Sequence, residues 1–455
     1  MCIEVAADDG TRVLLDLGMP LQAPDGGDFP RDTPQRPTEE LLAEGVLRDI
    51  PGVYPHDPTA PGVAAIILTH SHLDHYGLAH HAHPAIPVYG SEGTVAILEV
   101  GRVFFPQAKL PADLRRFPAG ETLHFSGDRV IDGDAVIGRG TGGLTVTAIP
   151  VDHAAPDSRA LLVEADGERL LYTGDLRAHG RTGFRFENLL ADERVRGVDW
   201  LLVEGTTLGA GGGTHGLRSE AAVEEALVEL ARGGSGGPRG RGAAGLRGSG
   251  DTGRRTEVEA AGKLVAVAAS GQNLDRLVSC FRAAKRSGRQ LVVDAYQAYV
   301  LMQLAPLSPN IPQVDWDGVR VNFPPSQVAK LKDAGLFDLA RQMSRQGYVS
   351  STELAAHPGR FLICTRGSYG VTKLFDKVGS ENVTLVWSMW RGYWERQEQA
   401  TTRQRSMREW ATRHAAEVHF VHSGGHAWPD DLARLVRALA PKHEPVWVHT
   451  DAALP

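Results

Sequence analysis

Residues 70–75 carry four side chains able to bind a cation, His70, His72, Asp74 and His75, in the string Thr69-His70-Ser71-His72-Leu73-Asp74-His75. Imidazole and carboxylate are the ligands zinc takes when one coordination position stays open to water. A lone histidine is more often a hydrogen-bonded core residue, whereas His-x-His-x-Asp-His seldom arises without a metal. The string follows an apolar run at residues 63–68 that reads as a strand. A loop leaving a strand is free of ladder hydrogen bonding and can turn several donors to one point. Other groups of the right type stand at apolar-run ends: Asp16 in Leu14-Leu15-Asp16-Leu17-Gly18, His153 in Pro150-Val151-Asp152-His153, and Asp175 in Tyr172-Thr173-Gly174-Asp175.

The elements that must position these groups are short apolar, β-branched runs bounded by Gly, Pro or polar residues. They fall at residues 12–17, 63–68, 144–149, 169–173, 200–203, 264–268, 290–294, 360–364, 383–387, 418–422 and 445–449. Several are almost wholly apolar, as strands buried on both faces are. Helical patterns alternate with them. Ser219 is placed to cap a helix over residues 220–231, and Leu274, Leu277, Val278 and Phe281 follow the helical i, i+3, i+4, i+7 rule with Gly288 at its end. This alternation predicts a layered α/β fold. Residues 232–256 break it: ten Gly and six Arg with a single large apolar residue, Leu246, cannot bury enough surface to offset ordering entropy and read as a flexible surface loop.

Hydrophobic residues make up 42% of the 455, charged residues 23%, and the net charge is −7. These values suit a globular protein and lack the overall basic signature of a general nucleic-acid binder, so any such role must rest on local charge. No apolar run approaches the roughly 20 residues of a membrane span. The N-terminus has no secretory signal pattern. Cys2, Cys280 and Cys364 are too few and too scattered for a disulfide framework, which predicts a cytoplasmic location.

The ordered set Asp16, His70-to-His75, His153 and Asp175 resembles the metallo-β-lactamase superfamily. That resemblance implies an αββα sandwich and two zinc ions per chain, with manganese an alternative. One ion is assigned to His70, His72 and His153, the other to Asp74, His75 and His449, with Asp175 bridging them and Asp16 orienting a ligand. A carboxylate can bridge two cations, and a water shared between them ionises near neutral pH.

About 270 residues separate Asp175 from His449, far more than in simple superfamily members. The chain in this respect resembles the β-CASP branch, the nucleic-acid-processing group that includes ribonuclease J, with an α/β domain inserted into the sandwich. Glu204 in Leu202-Val203-Glu204-Gly205, His426 in Ser423-Gly424-Gly425-His426-Ala427 and His449 in Val446-Trp447-Val448-His449 match the branch's later motifs. Ala269-Ser270-Gly271-Gln272 and Thr365-Arg366-Gly367-Ser368 resemble strand-end loops of its inserted domain. The implied boundaries are residues 1–204 and 396–455 for the sandwich and 205–395 for the insertion.

The resemblance implies hydrolysis of RNA phosphodiesters, single-stranded more readily than duplex. His426, held by Glu204, would protonate the leaving 3′-oxygen. Ser423, Gly424, Arg366 and Ser368 become candidate substrate contacts. Arg276, Lys285, Arg286 and Lys373 are further positive groups in this region, and each of them, like Arg366, reads more readily as a solvated surface charge than as a phosphate contact. A homodimer is an expectation of the resemblance alone.

The chain departs from the ribonuclease J pattern in places. Gly424 stands where Ser is usual, the final motif runs Thr450-Asp451, and the superfamily's opening strand would precede Cys2-Ile3-Glu4-Val5. Competing functions are a small-ester or thioester hydrolase of the lactonase or glyoxalase kind, a DNA-directed nuclease of the branch, and a non-catalytic RNA-binding scaffold.

Overall fold

The computed structural model describes residues 1–20, 23, 29–30, 32–105, 108–126, 129–131, 143–208, 216–233, 262–366, 369–395 and 401–450. Most of the Gly/Arg-rich stretch, and Ser368, lie outside them.

Three sheets organise these residues. The first contains β1 (Ile3–Ala6), β2 (Arg12–Leu15), β3 (Ala65–Ile67), β4 (Val88–Gly90) and β5 (Leu114–Arg116) in that order. β1 and β2 form an antiparallel hairpin, and the remaining neighbours are parallel. The second holds β6 (Thr122–Ser126), β7 (Arg129–Ile131), β8 (Leu144–Pro150), β9 (Arg159–Ala165), β10 (Glu168–Tyr172), β11 (Trp200–Glu204) and, from the far end of the chain, β18 (Val446–Val448). Its order is β18-β11-β10-β9-β8-β6-β7.

Burial shows why these strands read as continuous apolar runs. Val13, Leu15, Ala65 and Ile67 of the first sheet pack against Val146, Ala148, Leu161, Val163 and Tyr172 of the second. The alternate residues Leu14 and Ile66 face outward, onto Leu41, Leu47 and Leu98. Leu162, Leu171, Leu201 and Val203 of the second sheet likewise cover Phe186, Leu189, Leu432 and Leu435. Period-2 alternation thus places apolar residues on both faces of both sheets. The result is helix, sheet, sheet, helix.

The third sheet is wholly parallel, in the order β14-β13-β15-β12-β16-β17, built from β12 (Leu264–Ala268), β13 (Gln290–Asp294), β14 (Val319–Asn322), β15 (Phe361–Thr365), β16 (Val383–Trp387) and β17 (Val418–Phe420). Along β12, Val265 and Val267 face one cluster and Leu264, Ala266 and Ala268 the other. The first of these clusters continues through Ile97, Val100 and Phe104 of the helix Glu92–Phe104, so this sheet packs directly on the sandwich. Lys330 adds a hydrogen bond to the Phe104 carbonyl. No helix among the described residues is long and apolar enough to cross a membrane.

Candidate metal centre

Strand exits deliver the donors. β3 ends just before His70, and His72 then adopts an extended backbone as N-cap of the short helix Leu73–Tyr76, which presents Asp74 and His75. β8 runs into His153, β10 into Asp175, β11 into Glu204 and β18 into His449. A tight turn makes the first loop possible. A Cβ on Gly18 would lie 1.7 Å from the Asp74 carbonyl oxygen, so only glycine lets the chain after β2 pass this close.

His70, His72, His153 and Asp175 form one group whose ligand atoms all lie within 4.8 Å of one another, and Asp74, His75, Asp175 and His449 form a second. In the first, His70 Nε2 is 3.1 Å and His153 Nε2 3.2 Å from His72 Nδ1, while Asp175 Oδ2 stands 3.6 Å from His70 Nε2. In the second, Asp175 Oδ1 is 3.4 Å from His75 Nε2, and Asp74 Oδ2 is 3.7 Å from His75 Nε2 and 2.7 Å from His449 Nε2. Ligands about 2.0–2.1 Å from one tetrahedral ion stand roughly 3.3–3.5 Å apart, close to these separations.

Two further observations fit a cation. Among the described residues, His75 Nε2 and Asp175 Oδ1 are buried with no hydrogen-bond partner, a cost that a bound ion removes. The opposite ring nitrogens are already engaged. His75 Nδ1 meets Asp16 Oδ2 at 2.7 Å, His449 Nδ1 meets Thr206 Oγ1 at 2.7 Å, His153 Nδ1 meets the Gly425 carbonyl at 2.6 Å, and His70 Nδ1 meets Thr69 Oγ1 at 3.1 Å. Such partners fix ring orientation and tautomer, leaving the facing nitrogen as a lone pair.

Asp16 acts through these partners. At φ 61° it occupies the left-handed region, where it accepts from the Thr69 amide at 2.8 Å and the Tyr172 hydroxyl at 2.9 Å besides His75. His449 shares that backbone region at φ 57°. Burial, reinforced by neighbouring imidazoles, holds His70 and His153 well below the ordinary histidine range and hence neutral. His75 goes the other way: burial opposes its charge, but Asp175 and Asp16 raise it well above that range.

Beside the second group, His426 Nδ1 lies 3.1 Å from Glu204 Oε2 and 3.9 Å from Asp175 Oδ2. Glu204 Oε1 accepts from the Ala427 amide at 3.0 Å, so both carboxylate oxygens are occupied. Burial lowers the His426 pKa, but Glu204 and Asp175 together raise it to about 9. Its side chain is 26% exposed, and Nε2 has no partner among the described residues. A protonated, reachable imidazole next to a metal centre is suited to proton donation.

The other candidates fare differently. Ser423 is buried with an unpartnered hydroxyl, and the Gly424 carbonyl faces Arg177. Arg366 stacks on Tyr296 with its guanidinium 3.9 Å from the ring centroid and pairs with Asp294 at 3.2 Å. Arg286 is paired with Glu224 and Glu225. Arg276 is not a surface charge: it is fully buried, bidentate to Glu220 and bonded to the Ser388 carbonyl. Thr206, Tyr172 and Arg177 also belong to the site.

Residues 41–231 match the family model described as a Beta-lactamase superfamily domain. That match takes in the segments that carry His70 to His75, His153, Asp175 and Glu204. Ribonuclease J of Sinorhizobium meliloti is 32% identical over 113 residues, 24% of this chain and 17% of that protein. The chain therefore spans less than a fifth of that relative's length. A crystal structure of a protein of unknown function from Enterococcus faecalis superposes with a TM-score of 0.64 at 17% identity, covering 97% of this chain and 88% of that one. Zinc-bound PqqB from Methylobacterium extorquens gives a TM-score of 0.28 at 22% identity over 47% of this chain and 64% of its own, too low to carry an argument.

Proposed function

We propose that the protein is a zinc-dependent ribonuclease of the β-CASP type that hydrolyses RNA phosphodiester bonds in the cytoplasm. The observation that carries this reading is His426 held on Glu204 beside Asp175, because a proton donor at a metal centre serves a poor alkoxide leaving group. The partial likeness to Ribonuclease J supports the same substrate class. We assign the third sheet to the inserted domain, with β17 paired to β16 at its edge.

Two zinc ions at the two donor groups would supply an ionised water and neutralise charge on the phosphate oxygens. The protein's own residues do the rest. Asp16 and Thr206 hold the rings of His75 and His449 in place. The amides of Gly424, Gly425 and His426 have no acceptor among the described residues and are placed to bind phosphate oxygens. His426 Nε2 gives its proton to the leaving 3′-oxygen while Glu204 stabilises the charged ring.

Purified protein is to be incubated with one end-labelled RNA carrying 5′-triphosphate, 5′-monophosphate or 5′-hydroxyl, with the matching DNA, and with a panel of lactones and thioesters. Metal-dependent RNA cleavage is the expected result. Lactone or thioester turnover with intact RNA would overturn the reading, and cleavage of DNA alone would change the substrate.

A further inference from the structure

The turn that carries His426 does not hold its own shape. Residues 423–427 make no backbone hydrogen bond among themselves, and two of them are glycines, the residue with the most conformational freedom to lose. Three consecutive carbonyls are instead pinned from outside. Arg276 Nη2 approaches Ser423 O at 3.4 Å, Arg177 Nη1 donates to Gly424 O at 3.0 Å, and His153 Nδ1 meets Gly425 O at 2.6 Å. His179 Nε2 adds a second contact to Gly424 O at 3.2 Å.

Of these groups, Arg177 ties the most together. It is fully buried two residues after Asp175. Its Nη2 donates to Asp275 Oδ2 at 2.6 Å, in the helix Leu274–Arg286 that packs on the third sheet. Its Nε is 3.5 Å from Asp152 Oδ2, in the residue preceding His153, and its amide donates to the Asp152 carbonyl at 2.7 Å. The loop around it is built to fit. A Cβ on Gly180 would lie 2.5 Å from Nη2 and 2.6 Å from Nε, so a larger residue there would displace the guanidinium. The planar guanidinium serves three directions at once, which a lysine ammonium on one stem cannot reproduce.

We propose that Arg177 is a positioning residue for the His426 turn: by holding the Gly424 carbonyl against Asp275 and Asp152 it sets where the proton-donating ring stands. The inference rests on the phosphodiesterase reading above. Removing the clamp leaves the donor groups complete and frees the turn, so it weakens the step that needs a proton and spares the step that does not.

The test uses two substrates with the metal-loaded full chain: RNA, whose 3′-alkoxide needs protonation, and a p-nitrophenyl phosphodiester, whose phenolate leaves without it. Arg177→Lys and Asp275→Asn are compared with wild type, with metal content and Tm measured alongside. Arg177→Lys is expected to lower kcat on RNA by at least about 10-fold, toward the 10²–10⁴ a general acid contributes. Turnover of the nitrophenyl ester and metal content should stay within about 3-fold. Asp275→Asn should shift the same ratio in the same direction.

Equal losses on both substrates at full metal content would overturn the inference, as would unchanged RNA cleavage in both variants. Loss of metal by both variants would overturn it too, because Arg177 would then be a strut of the centre itself. Wild-type protein that cleaves neither substrate would instead sink the phosphodiesterase reading.

Discussion

His449 and Asp74 stand 375 positions apart in the chain and meet Nε2 to Oδ2 at 2.7 Å. The contact closes the second donor group, since β18 returns beside β11 to bring His449 over the helix that carries Asp74 and His75. His449→Ala removes one donor from that group and none from the first. Elemental analysis is expected to find metal in both groups of wild type and a loss of about half in the variant. Full retention would contradict the division into two groups.

His426 stands outside the two four-residue donor groups, in a third cluster with Asp175 and Glu204, and each four-residue group is complete without it. His426→Ala is expected to keep its metal and lose about 10²–10⁴ in kcat on RNA, the usual contribution of a general acid. Steady-state kinetics with metal analysis on the same sample checks this, and undiminished turnover would remove the proton donor from the account.

The pH dependence has a defined sign. His426 acts only when protonated; without a cation its pKa is raised to about 9, and activity falls as pH rises through the value it takes in the metal-loaded centre. Cations bound at Asp175 repel the proton and bring the alkaline limb lower than about 9. Glu204→Gln removes the first of the groups that raise the pKa, so the limb of the kcat/KM profile should move further down. A limb that stays in place would show that another group controls it.

Arg276 and Glu220 are both fully buried and bidentate, which makes them a structural pair rather than a phosphate contact. Arg276→Met leaves the carboxylate buried alone and should cost about 3–5 kcal/mol in urea unfolding. Burial raises the Glu220 pKa, but Arg276 outweighs it and brings it to about 2. The group's contribution is therefore complete above its unfolded value of 4.5 and is lost as pH falls through about 2. Unfolding curves across that window should lose stability more steeply in wild type than in a Glu220→Gln variant.

Much of the centre was legible in the sequence because its donors stand at strand ends in an unusual string. Four fall within six positions, and the order of Asp16, His153, Asp175 and His449 set the rest. Eleven of the strands were visible as apolar runs, with ends shifted by at most two residues, as at residues 63–68 against β3. Arg276 was misread because helix periodicity marks it as polar and cannot see Glu220, 56 positions away. Arg177, Thr206 and Tyr172 were missed for a related reason. Their partners are the Gly424 carbonyl, His449 and Asp16, all on distant segments, and no local pattern records those meetings.

The central claim is that two cations sit between these particular side chains. Anomalous scattering at the zinc edge from crystals of the zinc-loaded protein measures it directly. The account predicts one peak among His70, His72, His153 and Asp175 and a second among Asp74, His75, Asp175 and His449. Absence of both peaks, or zinc bound elsewhere on the chain, would contradict it.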